Sequence, residues 1–199
     1  MNTPTKLTIS RLIISIIMII ILIFPFYSIG ITWPKYMVGG IKVDLRYIVA
    51  GILFIIGSLT DFLDGYLARK NNEVTDLGKM LDAIADKVLV NPILIILACQ
   101  GFIPVVVPVV IITRDIIVDA VKMEIGNKGH AVGAIMSGKI KTATMMVGLV
   151  LTFFYNLPFE LINIRVSLIL VLFATVMAII SMFEYITMGK KLLYPKKEK

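Results

Sequence analysis

Four aspartates lie in two neighbouring and otherwise largely apolar stretches of the sequence, Asp61 with Asp64 and Asp82 with Asp86. On a helix that turns about 100° per residue, the first pair is about 60° apart and the second about 40° apart. Two consecutive antiparallel helices can therefore bring all four carboxylates together at one depth. Charged groups inside a membrane segment cost about 2.5–3.5 kcal/mol each or more, so these need a wet cavity or a shared counter-charge.

Divalent cations would neutralise such a cluster directly, since four neighbouring carboxylates repel one another. Oxygen ligands without His or Cys favour hard ions, here Mg2+ or Mn2+. Two such ions suit a displacement at phosphorus, because they stabilise the attacking and the leaving oxygen together. Gly65, Ala68 and Gly78 lie beside the aspartates and would let a flat base or a pyrophosphate approach the backbone. The alternative interpretation of these small residues is helix packing.

A second charged group contains Arg114, within the fourth apolar stretch, and Lys139 and Lys141, near the start of the fifth. Cations in such places need an anionic partner. We interpret them as a phosphate pocket, which would favour a phosphorylated alcohol as the acceptor. The alternative pairs Arg114 with Asp115, Asp119 or the aspartate cluster and lets the lysines extend to the surface.

The composition indicates the fold that must position these groups. Hydrophobic residues make up 58% of the 199 residues, charged residues 17%, and the mean hydropathy is +0.94. Soluble domains are about 45–50% apolar and about 25% charged, so the sequence predicts an all-α polytopic membrane protein with a polar, metal-binding cavity. Six transmembrane helices fit in one domain, over about 7–29, 45–68, 79–99, 105–125, 132–155 and 164–188, followed by a basic tail, 189–199.

The charge distribution predicts the orientation. Most of the 20 lysines and arginines fall on the side that would hold both termini, which places the termini and the aspartates at the cytoplasmic face. The net charge of +7 is attributed to this asymmetry, and nucleic acid is not an expected partner because no soluble basic module is present. Cys99 is the only cysteine, which excludes a disulfide within the chain, and we expect it to be buried.

Residues 61–86 resemble the signature of the CDP-alcohol phosphatidyltransferase family, Asp-x2-Asp-Gly-x2-Ala-Arg, eight residues, then Gly-x3-Asp-x3-Asp. Every fixed position is filled, by Asp61, Asp64, Gly65, Ala68, Arg69, Gly78, Asp82 and Asp86. The resemblance implies a six-helix enzyme of phospholipid biosynthesis that works as a homodimer in the cytoplasmic membrane. Membrane lipids would then be its surroundings and a CDP-linked lipid its substrate.

The resemblance also implies residue roles. The four aspartates would hold two divalent ions that clamp the pyrophosphate of the CDP-linked lipid. Gly65, Ala68, Arg69 and Gly78 would line the pocket for the cytidine and the phosphates. Asp86 would be the general base that takes the proton of the acceptor hydroxyl. The alcohol would attack the lipid-side phosphorus and expel CMP.

The acceptor is indicated by other stretches. Thr-Arg-Asp at 113–115 and Gly-Lys-Ile-Lys-Thr at 138–142 are similar to family members that combine CDP-diacylglycerol with sn-glycerol 3-phosphate. Inositol phosphate, serine or a second lipid are the alternative acceptors for the same chemistry. A cation transporter that uses the carboxylates as an ion path is the alternative from another class. A transporter would not explain why the glycines, the alanine and the arginine of the signature stand at fixed distances from the aspartates.

Overall fold

The apolar runs of the sequence form long helices in the computed structural model. It describes the backbone of residues 3–70, 76–129 and 133–193, and the side chains of these ranges except 3–5, 62–70, 76, 77, 79 and 158. The helices are α1 (Thr3–Ile23), α2 (Leu45–Lys70), α3 (Asp76–Cys99), α4 (Val106–Asn127), α5 (Met136–Phe153), α6 (Leu157–Glu160) and α7 (Val166–Leu193). The described part is therefore mostly helical, with six long helices, which confirms the all-α part of the predicted fold class.

The segment between α1 and α2 differs from the predicted long first span. α1 ends at Ile23 because Pro25, two residues beyond it, cannot continue the helical hydrogen bonding. The chain then forms a 3-10 helix (Phe26–Ile29) and an antiparallel hairpin of β1 (Lys35–Val38) and β2 (Ile41–Asp44). Gly39 and Gly40 form its turn with φ of 56° and 84°, a left-handed backbone that glycine adopts without strain.

The long helices form two groups that contact each other. α1 packs against α2 and α3, and α7 packs against α4 and α5. Contacts of α2 with α5 and of α3 with α4 join the groups. The core between them is apolar and includes Phe54, Leu89, Ile93, Leu149 and Phe153. This arrangement places the beginnings of α1, α3 and α5 at one end of the bundle, together with the last halves of α2, α4 and α7.

The outer faces of the bundle are also apolar. Ile13, Ile20, Ile169, Phe173 and Val176 are about half exposed or more. Such extended apolar surface is rare on soluble monomers and is typical of a protein that faces lipid. Among the described residues, two helical segments, Lys6–Ile23 and Val166–Leu193, are long and apolar enough to cross a membrane. The other four spans stay a prediction.

One burial expectation was wrong. Cys99 is exposed, because it is the last residue of α3 and precedes the turn at Gln100 and Gly101. Gly148 packs closely within the chain. A Cβ there would lie 2.9 Å from Val171 Cγ2 and 3.2 Å from the Val171 backbone nitrogen, whereas a Cβ on Gly133 would have no neighbour within 4 Å among the described residues.

Gly148→Ala tests the close contact of α5 with α7. Alanine favours a helix over glycine by roughly 0.5–1 kcal/mol, but here its methyl group would push against a backbone atom, and such overpacking costs typically about 1–3 kcal/mol. We expect a lower thermal unfolding midpoint for the purified protein in detergent. The matched control is Gly126→Ala in α4, where the added Cβ would have no neighbour within 4 Å in the described part of the chain, and this change should not destabilise the protein. A midpoint raised equally by both changes would contradict the close packing at Gly148.

Candidate active site

Arg11 joins two of the predicted aspartates across three helices. Arg11 belongs to α1. Its Nη1 donates a hydrogen bond to Oδ1 of Asp61 on α2, and its Nη2 donates one to Oδ1 of Asp82 on α3 at 2.6 Å. The arginine side chain is 0% exposed, whereas the two carboxylates are 39% and 52% exposed. The carboxylates therefore lie between the buried guanidinium and the open end of the bundle.

The third described aspartate, Asp86, lies one helical turn after Asp82 on α3. Its carboxylate is close enough to Asp61 for the two to repel each other electrostatically, and it also interacts with Arg11. Asp61 and Asp82 thus share Arg11, and Asp86 lies near them on the wall of a neighbouring cavity. The side chains of Asp64, Gly65, Ala68 and Arg69 lie outside the described residues, although the α2 backbone runs through these positions. Gly78 lies in the first turn of α3.

A cavity of about 550 Å³ extends from Asp86 to the second predicted group of charges. Arg114, Lys139 and Lys141 all line it, and so do Lys87 and Lys122. The acidic side chains on its wall are Asp86, Asp115 and Asp119, so cations outnumber carboxylates. The structure therefore brings Asp86 and the three predicted acceptor cations to one space with an excess of positive charge.

Arg114 is held in a fixed orientation at this cavity. Its Nε and Nη2 donate hydrogen bonds to Ser181 Oγ on α7, at 3.1 and 2.8 Å, and its Nη1 donates one to Asp115 Oδ1 at 2.9 Å. The ring of Tyr185 lies 5.8 Å from the guanidinium carbon. Lys141 Nζ is 3.3 Å from the same Asp115 oxygen. The alternative pairing of Arg114 with Asp115 is therefore present, but one carboxylate serves two cations and leaves a positive charge.

Lys87 follows Asp86 directly in the sequence, but its ion pair is with another carboxylate. Its ammonium group pairs with Asp119 on α4. Both partners are more than a third exposed, so this pair contributes little to stability. The counter-charge that the structure describes at Asp61 and Asp82 is Arg11, which the sequence argument had counted only among the charges that set orientation.

Arg11 and Ser181 are the residues that sequence reasoning missed. The signal for Arg11 was present, because no other charge follows it until Lys35 and an ionisable group in an apolar helix is functional by default. Ser181 has a weaker signal. It is a fully buried hydroxyl in the apolar α7, one turn before Tyr185, and both meet Arg114. The contact of these two residues with Arg114 follows from the packing of α7 against α4. The spacing of residues within either helix does not predict it.

The donor chemistry of the aspartates fits a hard divalent ion, because it is made of carboxylate oxygens alone. Among the side chains that the structure describes, no three acidic, histidine or cysteine groups are gathered tightly enough to hold a metal. Asp64 lies outside that set. The two described bonds from Arg11 end on Oδ1 of Asp61 and on Oδ1 of Asp82.

Comparison with known proteins identifies the family of this chain. The family model described as CDP-alcohol phosphatidyltransferase matches residues 1–186. The chain belongs to the CDP-alcohol phosphatidyltransferase family, and it is accordingly a transferase of phospholipid biosynthesis associated with membranes. The resemblance stated from residues 61–86 is thereby confirmed.

Individual relatives are similar over most of the chain. The CDP-diacylglycerol--glycerol-3-phosphate 3-phosphatidyltransferase of Bacillus subtilis (strain 168) is 37% identical over 184 residues, which cover 92% of this chain and 93% of that protein. The protein of the same name from Haemophilus influenzae is 31% identical over 194 residues, 95% of this chain and 94% of its own. The one from Mycoplasma genitalium is 38% identical over 122 residues, 60% of this chain and 52% of its own.

Proposed function

We propose that this chain transfers the phosphatidyl group from CDP-diacylglycerol to sn-glycerol 3-phosphate, which gives phosphatidylglycerophosphate and CMP. The observation that carries the proposal is the single cavity of about 550 Å³ that contains both Asp86 and the cations Arg114, Lys139 and Lys141. A base and an anion pocket in one space suit an acceptor that has a hydroxyl at one end and a phosphate at the other. The names of the relatives described above support the same activity.

The aspartates would hold two divalent ions, Mg2+ or Mn2+, through Asp61, Asp64, Asp82 and Asp86. When bound, such ions neutralise the charge of the pyrophosphate and of the CMP that leaves. Gly65, Ala68, Arg69 and Gly78 would line the cytidine and phosphate pocket, as the family resemblance implies. The end of α2 and the beginning of α3 would then form the nucleotide half of the site.

Asp86 is the proposed general base. Its place on α3, between the carboxylates of Asp61 and Asp82 and the cavity that holds Lys141, puts it where both substrates would meet. The acceptor hydroxyl would give its proton to Asp86 while its oxygen forms a bond to the lipid-side phosphorus. The bond from that phosphorus to the CMP oxygen would break, and CMP would carry away the bonding electrons.

The cationic wall would select the acceptor. Arg114 offers a planar set of donors that Ser181 and Asp115 keep in place, and Lys141 and Lys139 add charge beside it. A phosphate dianion would gain charge-assisted hydrogen bonds there. Choline or ethanolamine would bring a cation to a wall that is already positive, and serine would bring an ammonium group together with a single carboxylate charge. We therefore favour a phosphorylated alcohol, whose phosphate is a dianion. Inositol phosphate would share this advantage, and a direct competition would separate the two.

We also propose that the six long helices cross the cytoplasmic membrane with both termini and the site on the cytoplasmic side. The basic residues at the site end of the bundle and the apolar outer faces support this orientation. We propose a homodimer on the basis of the family resemblance. Of the basic tail, residues 189–193 belong to α7, and 194–199 lie outside the described residues. Membership in a transferase family favours an enzyme over the cation transporter considered above.

The first test is CMP release by purified protein with CDP-diacylglycerol, sn-glycerol 3-phosphate and Mg2+ or Mn2+. Asp86→Asn should lower kcat by roughly 10²–10⁴-fold, since general base catalysis typically contributes that much. Binding of CDP-diacylglycerol should change far less than kcat. The matched control is Glu124→Gln, an exposed carboxylate of α4 outside the cavity. Absence of CMP with every metal and alcohol tried, or a fully active Asp86→Asn protein, would defeat the proposal.

The second test concerns the acceptor pocket. Hydrogen bonds to charged groups are worth about 1.5–3 kcal/mol, so Arg114→Ala should raise KM for sn-glycerol 3-phosphate by roughly 10–150-fold and leave KM for CDP-diacylglycerol nearly unchanged. Ser181→Ala should shift the same constant by less, because Asp115 still holds Nη1 of Arg114. Arg165→Ala, in an exposed residue before α7, is the control. Equal losses for both substrates would show that the pocket is wrongly assigned.

A further inference from the structure

We propose that Arg11 is a positioning residue of the metal site, which holds Asp61 and Asp82 from their buried side and leaves their outer oxygens to divalent ions. The inference rests on the proposed function, because that function assigns the ions to these carboxylates. It adds a residue from α1 to a site whose predicted members all come from later parts of the chain.

The geometry points to a support behind the carboxylates. Nη1 of Arg11 bonds Oδ1 of Asp61, and Nη2 bonds Oδ1 of Asp82 at 2.6 Å. One planar guanidinium thus fixes the distance between two carboxylates that belong to different helices, α2 and α3. A metal site needs its ligands at such a fixed spacing, and groups that orient ligands from outside the ligand set typically change metal affinity by about 10–100-fold when they are replaced.

The burial of Arg11 indicates whether it supports the carboxylates or competes with divalent ions for them. A competing cation would occupy the open side of the carboxylates, where an ion arrives. Arg11 is 0% exposed, whereas Asp61 and Asp82 are 39% and 52% exposed, so the guanidinium lies on the protein side and the carboxylates face outward. An incoming ion would meet carboxylate oxygens first. A guanidinium with two parallel donors also suits this place better than an ammonium, which is a point charge.

The charge of Arg11 fits the same role. A buried arginine is stable only when it is paired, and each carboxylate is relieved of part of its repulsion by the shared cation. One guanidinium offsets only one of the negative charges assembled here. The aspartates would therefore keep an affinity for divalent ions. In the absence of these ions, Arg11 would keep α2 and α3 in position relative to each other.

The experiment measures Mn2+ binding without substrates, from the free Mn2+ signal in electron paramagnetic resonance, with protein purified in detergent. Arg11→Met keeps a similar chain length and removes the charge and the donors; we expect Mn2+ affinity to fall by about 10–100-fold and the thermal unfolding midpoint in chelator to fall as well. Arg11→Lys keeps the charge without the two parallel donors, so it should recover part of the midpoint but not the affinity. Arg165→Met is the matched control and should change neither.

The outcomes separate the hypotheses. Unchanged or tighter Mn2+ binding in Arg11→Met would overturn the inference, and tighter binding would identify a competing cation. Full recovery of affinity in Arg11→Lys would overturn the role of the two-donor geometry, and this variant carries the test if Arg11→Met does not fold. A wild type that binds Mn2+ but releases no CMP would defeat the proposed function alone. A wild type that releases CMP, with Arg11→Met affinity unchanged, would defeat the inference alone.

Discussion

The need to pair charged groups among apolar helices organises one end of this bundle. Arg11 ties α1 to α2 and α3, Lys87 with Asp119 ties α3 to α4, and Asp115 accepts from Lys141 of α5. Each of these links crosses between helices, and together they follow the order of the chain around the bundle. Since an unpaired charge in an apolar medium is costly, the fully buried Arg11 favours the meeting of α1 with the acidic ends of α2 and α3.

Hydrogen bonds of serine hydroxyl groups join α7 to α4 and α5 at this end. Ser181 accepts from Arg114 of α4, and Ser137 of α5 donates to Glu184 of α7. The opposite end of the bundle is held differently. There the rings of Tyr47, Phe102 and Tyr155 contact one another, and the Tyr155 hydroxyl accepts a hydrogen bond from the Asp44 backbone nitrogen. Among the described residues, the ion pairs between helices thus lie at the end that holds the cavity, and aromatic packing contributes at the other end.

The sequence predicted what depends on local pattern. The long apolar runs predicted the long helices, and the spacing of Asp82 and Asp86 predicted that they share a helix face. Arg11 was not assigned to the aspartates because its partners are 50 and 71 residues away, and the order in which helices pack is not contained in their periodicity. The same holds for Ser181 and Arg114, whose contact exists only because α7 packs on α4. The hairpin at 35–44 had a local signal in Gly39-Gly40 that was not used.

The two sides of the site carry opposite charge, and under the proposed function this division has a physical reason. Both substrates are anionic, so a site that brought them together without positive charge would be opposed by their repulsion. On the Arg114 side the protein supplies the cations itself, which gives that side a fixed shape suited to one small phosphate. On the Asp61 and Asp82 side it supplies anions, which under the proposed function would have to recruit mobile cations before a pyrophosphate could bind. Asp86 lines the cavity that also contains Arg114 and Lys141, and under the same proposal it would take the acceptor proton where the two substrates meet. The charge of the nucleotide half would then depend on the ions in solution, whereas the charge of the acceptor half is built into the fold.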